Sequence, residues 1–182
     1  AHSIGATYKG KRTGSLADFT VFSFHAVKNV TTAEGGAVCV NVGKQGFTDD
    51  EVYKQLKLWT LNGQTKDAFT KTQGGGWKYD IVYPGFKINL PDVCAAIGLA
   101  QLRKYDDDML SARRRIFNQY STAFGAFSWA QLPPCDTPDQ TSSYHLYALR
   151  LTGVSESDRD RMIEAITNEG VSVNVHFQPL PL

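Results

Sequence analysis

SFHAVKNVTTAEGGAV, residues 23–38, is the stretch whose reading decides the fold. Together with the residues just before it, it gives FTVFSF over residues 19–24, a β-rich and mostly apolar run. It closes on Gly35-Gly36 and a second apolar run at residues 37–40. Two short strands flanking a loop are expected. That loop carries Lys28, with Ser23 and His25 just ahead of it. A lysine so placed is either a surface residue of a hairpin loop or an amine held against apolar walls. In the second case desolvation disfavours the ammonium form and frees the neutral amine to attack a carbonyl, which is Schiff-base chemistry.

Further along, Thr48 followed by Glu51 is a capping-box pattern, and Val52, Leu56 and Trp59 recur at helical spacing, predicting a helix that ends near Asn62-Gly63. Residues 64–86 hold Gly74-Gly75-Gly76, Trp77, Tyr79, Tyr83 and Pro84 and read as a long loop, either a flap packed on its own domain or a contact for substrate or subunit. Pro91 suits the first position of a helix, and Val93, Ala96, Ile97 and Ala100, then Ile116, Phe117, Tyr120 and Phe124, keep a helical stripe. This is one long helix or two joined near the acidic run at residues 106–108. Pro133, Pro134 and Pro138 mark a turn region. Beyond it a strand over residues 144–151, a helix opened by Ser155 and Asp158 and closed by Gly170, and an alternating strand over residues 171–177 predict a β-α-β unit. The boundary falls within residues 112–135 and divides the chain into residues 1–112 and 113–182.

With 42% hydrophobic and 20% charged residues among 182, the composition is that of a globular protein and excludes disorder, collagen and coiled coil. A net charge of +1 leaves no electrostatic footprint for nucleic acid or an anionic membrane. No apolar run approaches the ~20 residues of a membrane span, and no signal peptide is recognisable, so a cytoplasmic location is expected. Cys39, Cys94 and Cys135 are far apart with no metal-ligand spacing, so no metal is expected, and all three read as reduced thiols, the first two in the core. The chain starts at Ala1 without Met and stops just after a strand-like run, as an internal piece of a longer protein would.

The run AHSIGATYKGKRTGSLADFTVFSFHAVKNVTTAEGGAV, residues 1–38, resembles the central segment of the DegT-type (DegT/StrS) sugar aminotransferases, which are pyridoxal-phosphate enzymes. PGFKINLPDVCAAIGLAQL, residues 84–102, is similar to a second hallmark of that family, and VNVHFQP, residues 173–179, to a third segment. The branch it most resembles is that of the UDP-4-amino-4-deoxy-L-arabinose aminotransferases. The resemblance implies an α/β, fold-type-I (aspartate aminotransferase-like) transferase. Residues 1–112 would be the C-terminal part of the large mixed-sheet, pyridoxal-phosphate-binding domain, and residues 113–182 the beginning of a small α+β domain.

It also implies roles. Lys28 joins the cofactor as an imine and shuttles the proton between the substrate carbon and the cofactor's C4′. Ser23 binds the cofactor phosphate, His2 lies near the cofactor ring, and His25 positions its neighbours. Lys87 or Asn89 reaches the phosphate across a homodimer, and nothing in the sequence chooses between them. The implied partners are a nucleotide-linked keto sugar and an amino-acid donor, glutamate, in polysaccharide or glycoconjugate biosynthesis. The family's aspartate at the pyridinium nitrogen would fall just before Ala1, so the chain alone is not expected to catalyse. Two rivals stand beside this reading. A sugar 3-dehydratase of the same family has His in place of the lysine, which Lys28 argues against, and a noncatalytic interaction module would carry Lys28 as surface decoration.

Overall fold

The computed structural model describes residues 1–43 and 46–176. Two short strands, β1 (Thr7–Tyr8) and β2 (Lys11–Arg12), pair antiparallel and lead through a 3-10 turn at Thr13–Ser15 into the central hairpin. That hairpin is β3 (Phe19–Ser23) and β4 (Gly36–Val40), registered from Phe19↔Val40 to Ser23↔Gly36. The glycine at position 36 is required, because a Cβ there would stand 2.7 Å from the Phe22 carbonyl oxygen. Strand periodicity divides the residues by face. Phe22 and Phe24 turn inward and join Val30 and Tyr105 in the core, with Ile4, Ala37, Cys39, Met109 and Leu110 packed around them. Phe19, Val21 and Val38 point the other way and are exposed.

Helix α1 (Asp49–Thr60) begins with the expected capping box: the Thr48 hydroxyl accepts from the Glu51 backbone N–H while the Glu51 carboxylate accepts from the Thr48 N–H. Within the long loop only one helical turn forms, α2 (Ala68–Lys71), and the loop is tied across itself by bridges Leu61↔Lys87 and Gln64↔Ile81. Its aromatics divide: the Lys71 ammonium lies over the Tyr79 ring and Tyr83 lies near Trp59, whereas Trp77 is 71% exposed. Helix α3 (Asp92–Leu102) takes Pro91 as its N-cap rather than as its first residue. A π-helical segment, Tyr105–Leu110, then joins it to α4 (Ser111–Phe124), so the stripe is carried by two helices and the joint is at the acidic run.

The face that α3 turns inward also differs from expectation. Val93 and Ile97 are exposed, while Gly98 is buried and Gln101 bonds to the backbone of Thr31. Close approach explains the choice, since a Cβ at Gly98 would meet the Thr32 methyl at 2.9 Å. Polar anchoring and a small residue, rather than the apolar stripe, dock this helix on the Lys28 loop.

After β5 (Ala130–Gln131), β6 (Gln140–Thr141) adds to β1, giving a sheet ordered β2-β1-β6, and β7 (Arg150–Leu151) pairs with β5. Helix α5 (Glu156–Asn168) carries the predicted cap, with Ser155 and Asp158 in a capping box. Among the described residues the predicted β-α-β unit does not form. Of residues 144–151 only Arg150–Leu151 are strand, because their ladder partner β5 is two residues long, and Tyr144 at φ +49 lies outside the extended region at the start of the run. Residues 171–176 alternate as predicted yet form no strand, since a strand needs a neighbouring ladder and Val171, Val173 and Val175 stand exposed instead. Phe177, and with it Gln178 and Pro179 of VNVHFQP, lie outside the described residues. The three cysteines are free, but Cys39 and Cys94 are half-buried rather than fully in the core. Among the described residues no helix is long and apolar enough to cross a membrane.

Candidate active site

The loop between β3 and β4 is pinned at its base. Phe24 N–H donates to Gly35 O at 2.8 Å, and Thr32 N–H donates to Phe24 O at 2.9 Å. Inside it Lys28 N–H donates to His25 O at 2.9 Å, so the chain makes one tight turn and presents the half-buried Lys28 side chain. Lys28 Nζ lies 2.6 Å from His2 Nε2. An ammonium has only protons to give, so the lone pair in this bond is on His2 Nε2 and the ring proton is on Nδ1. Burial, then the Lys28 charge, with His176 adding to it, push the basicity of His2 below that of an ordinary imidazole. His2 is therefore neutral at pH 7.

Behind this pair stands a buried polar network that the sequence did not announce. Asn29 is 2% exposed. Its Nδ2 donates to Ser143 O at 2.7 Å and to the Tyr105 hydroxyl at 3.1 Å, and its Oδ1 faces His145 Nδ1 at 2.7 Å. A carbonyl can only accept, so the Ser143 contact fixes the amide orientation, and His145 must carry its proton on Nδ1. The Tyr105 hydroxyl passes its own proton to Ile4 O at 2.8 Å, and the Ser143 hydroxyl donates to His2 O at 2.6 Å. The His145 ring lies against the His2 ring, with centroids 4.3 Å apart and planes tilted by 41°. Burial first, then His2 and Lys28, push His145 from the ordinary 6.5 down to about 4.

That depression makes stability depend on pH. Between 6.5 and about 4 the unfolded chain protonates His145 and the folded chain does not. The contribution is complete above 6.5 and is lost as pH falls toward 4. Urea unfolding of the protein should show a loss on the order of 1–2 kcal/mol from this part-buried group. His145→Gln should remove that component of the slope, leaving the carboxylate component.

The expected site residues fall into two places. Ser23, His25, Lys28 and His2 gather at the hairpin loop: the Ser23 hydroxyl accepts from His25 N–H at 3.4 Å, while the exposed His25 ring turns toward Glu34, 3.6 Å away. Lys87 and Asn89 bond to each other on the exposed segment ahead of α3, and no hydrogen bond among the described residues joins them to Lys28. Asn29, Tyr105, Ser143 and His145 are the members sequence reasoning missed. The one available signal was a run of polar residues, Ser142-Ser143-Tyr144-His145, opening a segment otherwise read as strand. Among the described residues no group of three or more His, Cys, Asp or Glu could hold a metal ion.

Comparison with known proteins bears on this geometry. The model of the DegT/DnrJ/EryC1/StrS aminotransferase family matches residues 1–182. The solved structure of the putative sugar aminotransferase Spr1654 from Streptococcus pneumoniae in its PMP form is 45% identical and superposes with a TM-score of 0.89, over 100% of this chain and 45% of that one. Its PLP form superposes with a TM-score of 0.88. The spore coat polysaccharide biosynthesis protein SpsC of Bacillus subtilis is 36% identical over 99% of this chain and 45% of its own length. The UDP-4-amino-4,6-dideoxy-N-acetyl-beta-L-altrosamine transaminase of Campylobacter jejuni is 33% identical over 98% and 43%. This chain thus spans less than half the length of the relatives it matches. Its mixed α/β architecture is that of the fold-type-I pyridoxal-phosphate sugar aminotransferases.

Proposed function

The chain belongs to the DegT/DnrJ/EryC1/StrS aminotransferase family, and on that footing we propose that it forms the lysine-bearing part of a pyridoxal-phosphate enzyme. The reaction is transfer of an amino group from an amino acid, glutamate, to a keto carbon of a nucleotide-linked sugar for polysaccharide or glycoconjugate biosynthesis. The observation that carries this reading is the Lys28 amine, 2.6 Å from a neutral imidazole and one turn beyond a serine hydroxyl. These groups fit the cofactor, because an aldehyde calls for a primary amine with a proton acceptor beside it, and a phosphate calls for short neutral donors. Pyridoxal phosphate supplies the aldehyde and a ring that stores the electron pair released when a C–H bond breaks.

The chain's own residues do the rest. Lys28 Nζ must shed a proton before it can attack a carbonyl, and the lone pair on His2 Nε2 is placed to take it. With its amine free, Lys28 Nζ would be the base that moves the proton on the substrate carbon. Ser23 contributes to the phosphate site, His25 holds the loop, and Lys87 or Asn89 contributes from the partner of a homodimer. We place the division of the chain between residues 1–112 and 113–182, which puts the cluster where the two parts meet, with Lys28 from one and His145 from the other.

Borohydride reduction of the full-length protein with pyridoxal phosphate, followed by peptide mapping, tests the reading. The pyridoxyl mass is expected on the peptide that contains Lys28. A label on Lys9 or Lys54, or none, overturns it. With the label in place, a panel of nucleotide-linked keto sugars offered with glutamate identifies the acceptor.

A further inference from the structure

The Asn29–His145 pair lies outside the roles assigned so far, yet it stands directly behind the Lys28–His2 contact, joining the buried Asn29 to the part-buried His145. Three observations give it direction. Asn29 immediately follows Lys28, so whatever fixes Asn29 fixes the backbone that carries the amine. His145 is held in a single tautomer by Asn29 Oδ1, and its ring covers one side of His2. The Ser143 hydroxyl, two residues before His145, holds the backbone carbonyl of His2. Segment 143–145 therefore grips both partners of the Lys28–His2 contact, one through its backbone neighbour and the other through its ring and main chain.

We infer that His145, anchored by Asn29, is a positioning residue that keeps the His2 imidazole neutral and turned with Nε2 on the Lys28 amine. It touches neither Lys28 in any hydrogen bond nor the reacting atoms, so its effect passes through His2. The charged and titratable groups around the pair are Lys28 and His176 beside His2, with His2, Lys28, Arg113 and His176 beside His145. A second imidazole that stays uncharged adds no repulsion to Lys28 and excludes water from the back of His2, which favours the neutral ring there. The inference rests on the reading of Lys28 as the lysine that receives the cofactor, and it can fail separately from that reading.

The test uses the full-length protein with 15N-labelled histidine. In the unmodified protein both His2 and His145 should show the Nδ1–H tautomer, with His2 titrating below 6.5. His145→Gln keeps a donor for Asn29 Oδ1 but removes the ring. The His2 titration should then rise toward 6.5, and trapping of pyridoxal phosphate on Lys28 by borohydride should slow about tenfold. A His2 titration and trapping rate both unchanged in His145→Gln overturn the inference, and so does an Nε2–H tautomer of His145 in the unmodified protein, a result that needs no variant to fold. If the unmodified protein traps no label on Lys28, the functional reading fails, while the shift of His2 in His145→Gln still decides whether His145 positions it.

Discussion

Full-length protein carrying Lys28→Ala should transaminate about a thousandfold more slowly, or more slowly still, while continuing to bind pyridoxal phosphate noncovalently. The loss is large because, on the proposed function, one atom would hold two jobs: Nζ would be both the amine that receives the cofactor and the base that moves the substrate proton. The binding that survives is expected from groups the substitution leaves alone, the proposed phosphate contact of Ser23 among them. Lys28→Arg separates charge from nucleophilicity, because a guanidinium keeps the positive charge and stays protonated at any working pH. It should be as inactive as Lys28→Ala. Activity measured with glutamate and the acceptor sugar decides, with cofactor absorbance as the binding control. Lys28→Arg within tenfold of the unmodified protein would show that charge, and not the free amine, is what this position supplies. A noncatalytic module would show no dependence on Lys28 at all.

How much of this was legible in the sequence depends on how far apart the interacting residues lie. The β3–β4 hairpin, the Thr48 and Ser155 capping boxes and the helix after Pro91 are local patterns, and each formed where its residues predicted it. Lys28 stood out by its place in the loop and His2 by resemblance alone, and the bond between them appears only in three dimensions. The errors have one physical origin. An alternating run such as residues 171–176 says which face is apolar but not whether a ladder partner exists, and here the described residues offer none. The α3 stripe misled for the same reason: Val93 and Ile97 are apolar and regularly spaced, but Gly98 permits closer approach on the other face and Gln101 binds the Thr31 backbone. Asn29 was invisible because its partners, Tyr105, Ser143 and His145, are supplied by remote parts of the chain, and no local spacing encodes such a meeting.

That same remoteness makes Asn29 a residue whose loss should cost much stability. With its side chain 2% exposed, Asn29 bonds three groups at once: Ser143 O, the Tyr105 hydroxyl and His145 Nδ1–H. Asn29→Ala leaves the Tyr105 hydroxyl with its bond to Ile4 O but strands the Ser143 carbonyl and the His145 N–H inside the protein. Each buried orphan costs about 1–3 kcal/mol, and the cavity left by the amide adds to that, so a total of roughly 3–5 kcal/mol is expected. Against a typical stability of ~5–15 kcal/mol this is a substantial fraction. Thr48→Ala, which removes only an exposed helix cap, should cost about 1 kcal/mol and calibrates the measurement. Urea unfolding gives both values, and a loss below that of Thr48→Ala would mean that water replaces the amide at no cost and that the network does not hold the fold. Amide exchange locates the effect. Because Asn29 links the Lys28 loop to residues 143–145, Asn29→Ala should speed exchange at Ser143, Tyr144 and His145 while leaving the β3–β4 ladder protected. Faster exchange confined to the hairpin would instead place the damage in the core beneath Val30.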